Sequence, residues 1–224
     1  MSAVPPGKVS DSELAARIAA AAIELALPLK PEQTSRLVAY LRLIERWNET
    51  YNLTSIRDPS SMATQHIVDS LAAAAALRRR RAPRERRRLI DVGSGAGLPG
   101  VVVAVALPET EVVCVDSVGK KAAFITQAAG SLGVRNITSL HARAERLKDR
   151  RFDVIASRAF ASLSDFVAGT RHLLAENGEW LAMKGKTPAS EIATLADIES
   201  EIEPLQVPGL AADRCIVWMR AIYE

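Results

Sequence analysis

The chain reads as an α/β protein of the Rossmann-like kind: a mostly parallel sheet with helices on both faces, carrying an N-terminal helical extension. Three observations predict this. From Leu89 onward, short apolar runs of strand length alternate with amphipathic stretches of helix length. Between two apolar runs lies a glycine-rich turn, Asp91-Val92-Gly93-Ser94-Gly95-Ala96-Gly97-Leu98-Pro99-Gly100, the junction of a buried strand with a following helix. Over residues 10–77 the only elements the pattern predicts are helices, with a loop over 48–56.

The helical extension comes first. Ser10-Asp11-Ser12-Glu13 has capping-box spacing and opens an alanine-rich helix to about Leu27, ahead of Pro28. Pro31 starts a second helix whose Leu37, Tyr40, Leu41, Ile44 and Trp47 form one apolar stripe, read as core. A loop is expected over 48–56. Asp58-Pro59 then caps and starts a third helix reaching Leu77. Strands are predicted at 88–92, 111–116, 136–140, 152–157, 178–184 and 214–223, with helices at 98–107, 118–132, 162–175 and 188–201. The organisation expected is an extension over 1–77, an arginine-rich linker over 78–88 and a Rossmann-like domain over 89–224.

Composition narrows the class. At 224 residues and 48% hydrophobic, the chain can bury one good core with a small appendage. No apolar run is long enough to span a membrane, and the first residues lack a signal peptide's apolar centre. Cys114 and Cys215 sit in apolar runs and read as reduced core residues, so a cytoplasmic protein without metal is expected, as a monomer. The net charge of +3 conceals a concentration: Arg78 to Arg88 holds eight arginines and one glutamate, and the remainder of the chain is acidic. Two readings stand, a solvated linker or a stripe that tracks nucleic-acid phosphates through Arg78, Arg79, Arg80 and Arg81.

The glycine turn poses the choice of cofactor. Gly95 to Gly100 satisfies G-x-G-x-x-G, and Asp116 follows 21 residues after Gly95, as in dinucleotide-binding folds. Two details favour S-adenosylmethionine. The glycines begin earlier, giving D-x-G-x-G-x-G, and a carboxylate at Asp91 suits a cationic ammonium better than a pyrophosphate. A dinucleotide-dependent oxidoreductase and a non-catalytic RNA-binding assembly factor are the alternatives.

Further segments are more specific: Trp47-Asn48-Glu49-Thr50-Tyr51-Asn52-Leu53-Thr54-Ser55-Ile56, His66-Ile67-Val68-Asp69-Ser70-Leu71, Ser157-Arg158-Ala159-Phe160-Ala161 and Met183-Lys184-Gly185. With the glycine turn, and in this order, they make the chain resemble the bacterial RsmG (GidB) family of small-subunit ribosomal RNA guanine-N7 methyltransferases over about residues 40–222. The resemblance implies a class I S-adenosylmethionine-dependent methyltransferase acting on 16S ribosomal RNA or the small ribosomal subunit. Carried over by position, it puts cofactor contacts on Gly93, Leu98, Ala144, Glu145 and Arg158. The residue chemistry adds Asp91, Gly95 and Gly97 in the turn, and Asp116, whose two oxygens suit two ribose hydroxyls.

Guanine N7 carries an in-plane lone pair and no proton, so attack on a sulfonium methyl needs no general base. Among the three histidines, His141 and His172 read as structural, and His66 stands out only through its motif. Arg158 and Phe160 are expected to position the base, Phe160 by stacking on it, and Lys184 to hold a phosphate. The tetrad Ser157 to Phe160 lacks the prolines typical of amine-methylating enzymes, so an exocyclic amine is not the expected target.

Overall fold

The computed structural model describes residues 9–80, 87–158, 160, 162–195 and 197–222. Helix α1 (Asp11–Glu24) opens with the predicted capping box: Glu13 N–H donates to Ser10 Oγ at 3.2 Å, and Ser10 N–H donates to Glu13 Oε2 at 2.8 Å. Helix α2 (Pro31–Tyr51) buries Leu37, Tyr40, Leu41 and Ile44 completely. It runs through the start of the expected loop and stops only where Asn52 turns left-handed. Asp58 caps α3 (Pro59–Met62) by accepting from Ser61 N–H at 2.7 Å. The helix then widens into a π-helical turn (Ala63–Val68) before continuing as α4 (Asp69–Arg79). Such turns push side chains off the helical register and recur at functional sites.

The sheet has seven strands in the order β3-β2-β1-β4-β5-β7-β6. Strands β1 (Arg87–Val92), β2 (Thr110–Asp116), β3 (Ile137–His141), β4 (Phe152–Ser157) and β5 (Leu174–Lys184) are parallel. Strand β7 (Cys215–Ala221) runs antiparallel to β5 and to β6 (Ile198–Pro204). Helices α5 (Gly100–Ala106), α6 (Gly119–Leu132) and α7 (Leu163–Thr170) form the crossovers, and α8 (Ala189–Ile192) is one short turn. The chain order reverses between β1 and β4, the switch point where open α/β sheets place ligands.

The period of two along each strand divides the core into two layers. Leu89, Val112, Cys114, Leu181 and Trp218 face α2, α4, α5 and α6; Ile90, Val115, Trp180 and Met219 face α7. The helical extension therefore shares one continuous core with the sheet, and Asp91 lies on the layer it covers.

The predicted helix over 188–201 is the main departure. Its glutamates suit a helix, but Glu199, Glu201 and Glu203 alternate with Ile198, Ser200 and Ile202, and pairing with β7 draws the segment into a strand. Across the sheet Glu203 accepts Trp218 Nε1–H at 2.7 Å. The expected linker is also shorter: Arg78 and Arg79 form the last turn of α4, while Arg87 and Arg88 open β1. Helix α7 ends at Thr170 and gives way to a 3₁₀ turn, with β5 starting at Leu174.

Candidate active site

The turn after β1 is shaped by three left-handed glycines, Gly93 (φ 66°), Gly95 (φ 59°) and Gly97 (φ 85°). Their surroundings differ. A Cβ built on Gly93 would meet nothing within 4 Å, so this glycine forms the floor of an open cradle. A Cβ on Gly97 would lie 2.6 Å from Val101 Cγ2 and 3.2 Å from both Ile125 and the Tyr40 hydroxyl. Gly97 thus serves close packing, and Leu98, with 3% of its surface exposed, belongs to the core. Neither presents a side of itself to the cavity below, in contrast to the contact expected of each. The Tyr40 hydroxyl donates to the Ala96 carbonyl, so α2 of the extension fastens the turn.

The ends of β1, β2 and β3 and the loop after β4 enclose a cavity of about 120 Å³, lined by Gly93, Asp116, Ala144, Glu145 and Phe160 among others. Asp116 accepts Gly95 N–H at 2.9 Å and Val118 N–H at 2.8 Å, which ties the glycine turn to the start of α6. A carboxylate has about four acceptor positions, so two remain for the cavity. Ala144 and Glu145 lie in a 3₁₀ turn (Ala144–Arg146) that follows β3.

Asp91 is fully buried, and its Oδ2 accepts Gly100 N–H at 2.8 Å. Its Oδ1 is buried without a partner in the protein. Burial pushes the carboxyl up to about 7, against the pull of Gly100 N–H and the Arg158 guanidinium, with Asp116 adding to the rise. An open cradle at Gly93, spare acceptor capacity on Asp116 and an orphaned acceptor on Asp91 fit a ligand carrying a ribose and a cationic amine.

A second cavity, of about 320 Å³, is lined by Gln65, His66, Asp69, Arg158, Lys184 and Arg214 among others. The π-helical turn supplies Gln65 and His66, the start of α4 supplies Asp69, and the ends of β4 and β5 supply Arg158 and Lys184. Arg158 donates to the Gln65 carbonyl at 3.2 Å and stands 3.8 Å from Asp69 Oδ2. Arg214 Nε donates to Asp69 Oδ1 at 3.1 Å, and Lys184 pairs with Glu191 at 3.0 Å. The His66 Nε2 lies 2.9 Å from the Thr54 hydroxyl. Burial, then the Arg158 charge, lowers His66 to about 4, so its ring is neutral at pH 7. Asn48 accepts Thr54 N–H at 2.9 Å and so folds the loop that meets His66.

The loop after β4 separates what the sequence reading joined. Arg158 faces the second cavity, whereas Phe160 lines the first and rests against Phe166 at a ring separation of 5.0 Å. Phe160 thus shares its cavity with Gly93, Asp116 and Glu145 rather than with Arg158.

The arginine run is elsewhere. Arg79 pairs with Glu203, Arg80 pairs with Glu201 and Glu179 and lies 4.5 Å above the Trp218 ring, and Arg78 donates to the Ala26 carbonyl. None of the three lines either cavity. Along α4, Arg79 lies about 15 Å from Asp69, at 1.5 Å per residue. Arg81 falls outside the described residues. Asp69, Arg214 and Tyr40 were not singled out from sequence. Asp69 lay within a noted motif, Tyr40 read as core, and Arg214 precedes a strand without any signal of its own.

A mostly parallel sheet with a glycine turn, a buried acid closing β2 and a cavity at the switch point is the arrangement of a class I S-adenosylmethionine-dependent methyltransferase. Solved structures agree on the fold. One is a S-adenosylmethionine-dependent methyltransferase from Aquifex aeolicus (TM-score 0.55, 14% identity, 75% of this chain and 96% of that one). Another is a ribosomal protein L11 methylase from Lactobacillus delbrueckii subsp. bulgaricus (TM-score 0.53, 18% identity, 67% and 77%). The profile of the GidB family, rRNA small subunit methyltransferase G, matches residues 33–217, and the chain belongs to that family. Relatives bearing the name ribosomal RNA small subunit methyltransferase G include one from Acidovorax ebreus (strain TPSY), 51% identical over 96% of this chain and 98% of its own. Another, from Methylibium petroleiphilum, is 54% identical over 87% and 89%.

Proposed function

We propose that this protein transfers a methyl group from S-adenosylmethionine to N7 of a guanine in the 16S RNA of the small ribosomal subunit. The observation that carries the reading is the pair of cavities lined by Arg158 and by Phe160, two positions apart just after β4, within a chain of this family. Asp116, Gly93 and the Ala144–Glu145 turn would hold the nucleoside, and Asp91, with its unpartnered oxygen just before the turn, would serve the amino-acid end. Bound there, the cofactor supplies an electrophilic methyl group on a positively charged sulfur. The second cavity receives the base.

The residues do little proton chemistry, and the proposed acceptor requires none. His66 is neutral and held by Thr54, Lys184 is paired with Glu191, and Arg158 donates to the Gln65 carbonyl. What the site supplies is alignment, worth roughly 7–11 kcal/mol when reacting groups are well oriented. Labelled S-adenosylmethionine, small subunits lacking this methyl group, and chemical mapping of N7-methylguanosine test the proposal. One labelled guanine in 16S RNA is expected. Transfer to another base, or to another atom of guanine, would remove the proposal.

A further inference from the structure

The second cavity holds one carboxylate whose surroundings go beyond what packing requires. Asp69 is 2% exposed and sits in the cavity wall between two guanidinium groups. Its Oδ1 is used by Arg214 Nε at 3.1 Å, while Oδ2 lies 3.8 Å from Arg158, beyond hydrogen-bond range. Burial raises the Asp69 carboxyl above its usual range, and the two arginines offset part of that cost without consuming both oxygens. A carboxylate can only accept, so its natural counterpart is a ligand edge with adjacent donors. Resting on the assignment of guanine N7 as methyl acceptor, we infer that Asp69 reads the Watson–Crick edge of the target guanine, accepting from N1–H and the exocyclic N2 amine.

The geometry of the base supports that role. N7 and the N1–N2 edge lie on opposite sides of guanine, so a base with N7 toward the cofactor turns its N1–N2 donors away from it. Asp69, contributed by α4 of the extension, lines the second cavity and not the first. Adenine carries neither donor and would set its N1 lone pair against the carboxylate, which rejects it. During transfer the purine gains positive charge and N1–H becomes more acidic. A hydrogen bond to Asp69 therefore strengthens in the transition state and raises kcat as well as binding. The neutral His66 beside it adds no opposing charge.

The test uses 16S RNA in small subunits, carrying guanosine, inosine or 7-deazaguanosine at the mapped nucleotide. Inosine keeps N7 and N1–H but lacks the N2 amine. For the unmodified protein, inosine should lower kcat/KM roughly tenfold, since a hydrogen bond to a charged acceptor is lost. Asp69→Asn should lower kcat/KM on guanosine by about 100-fold or more, leave S-adenosylmethionine affinity within about twofold, and nearly abolish the inosine penalty. A residue that only joins α4 to Arg214 and Arg158 would not change the guanosine-to-inosine ratio. An equal inosine penalty in both proteins, or full activity of the unmodified protein on inosine, overturns the inference. If Asp69→Asn does not fold by thermal melting, Asp69→Glu, which keeps the charge and displaces the oxygens, replaces it and should likewise change the guanosine-to-inosine ratio; an unchanged ratio overturns the inference. Methylation of the 7-deazaguanosine RNA would instead refute the N7 assignment itself.

Discussion

Gly93 and Gly97 share a backbone conformation but differ in surroundings, which makes their alanine variants a quantitative pair. A left-handed alanine costs about 1–2 kcal/mol at either position. At Gly93 nothing is added, because the new methyl enters open space. At Gly97 it would lie 2.6 Å from Val101, 3.2 Å from Ile125 and 3.2 Å from the Tyr40 hydroxyl, so overpacking adds about 1–3 kcal/mol. For a chain of this size each kcal/mol shifts Tm by about 2–4 °C. Gly93→Ala should therefore lower Tm by about 2–8 °C, and Gly97→Ala by about 4–20 °C. Ligand response separates them further. At a concentration of S-adenosylmethionine 100 times Kd the unmodified protein gains about 2.7 kcal/mol, or roughly 5–11 °C. Gly93→Ala should lose most of that gain because its methyl occupies the cradle. Paired melting curves with and without cofactor, together with equilibrium dialysis, read both effects. Unimpaired cofactor binding by Gly93→Ala, or an unshifted Tm for Gly97→Ala, would refute the distinction.

Three further outcomes follow from the same geometry. Asp91 has its pKa raised to about 7 by burial, so its contribution to stability is fully present below about pH 4 and is lost as pH rises through 7; Asp91→Asn should gain Tm relative to the unmodified protein between pH 5 and pH 8, and an equal difference at both values would refute the shift. Replacing Arg79 and Arg80 with glutamine removes an ion-pair partner from each of Glu201, Glu203 and the buried Glu179, so Tm should fall while the salt dependence of RNA binding stays unchanged; a salt slope lowered by about one for each arginine would instead restore them to phosphate contact. Phe160→Ala should weaken S-adenosylmethionine binding even without RNA, since the ring borders the cofactor cavity; normal cofactor affinity with impaired RNA turnover would return Phe160 to the base.

Much of this protein is decided locally and is legible in its residues. The capping box at Ser10, the stripe from Leu37 to Ile44, the strand–helix alternation from Leu89 and the glycine turn each follow from neighbouring residues, so periodicity and turn chemistry reveal them. The family follows from short segments in a fixed order. What the tertiary structure alone decided depends on partners distant in the chain. The acidic segment at Ile198–Pro204 has helical composition, yet β7 supplies the ladder that makes it a strand, and its glutamates then capture Arg79 and Arg80. Arg158 and Phe160 are two residues apart but line different cavities. Asp69 and Arg214 lie 145 positions apart and form a pair only when the extension folds onto the carboxyl edge of the sheet. A sequence states which charges a chain carries; only the fold determines which of them meet, because that depends on long-range packing.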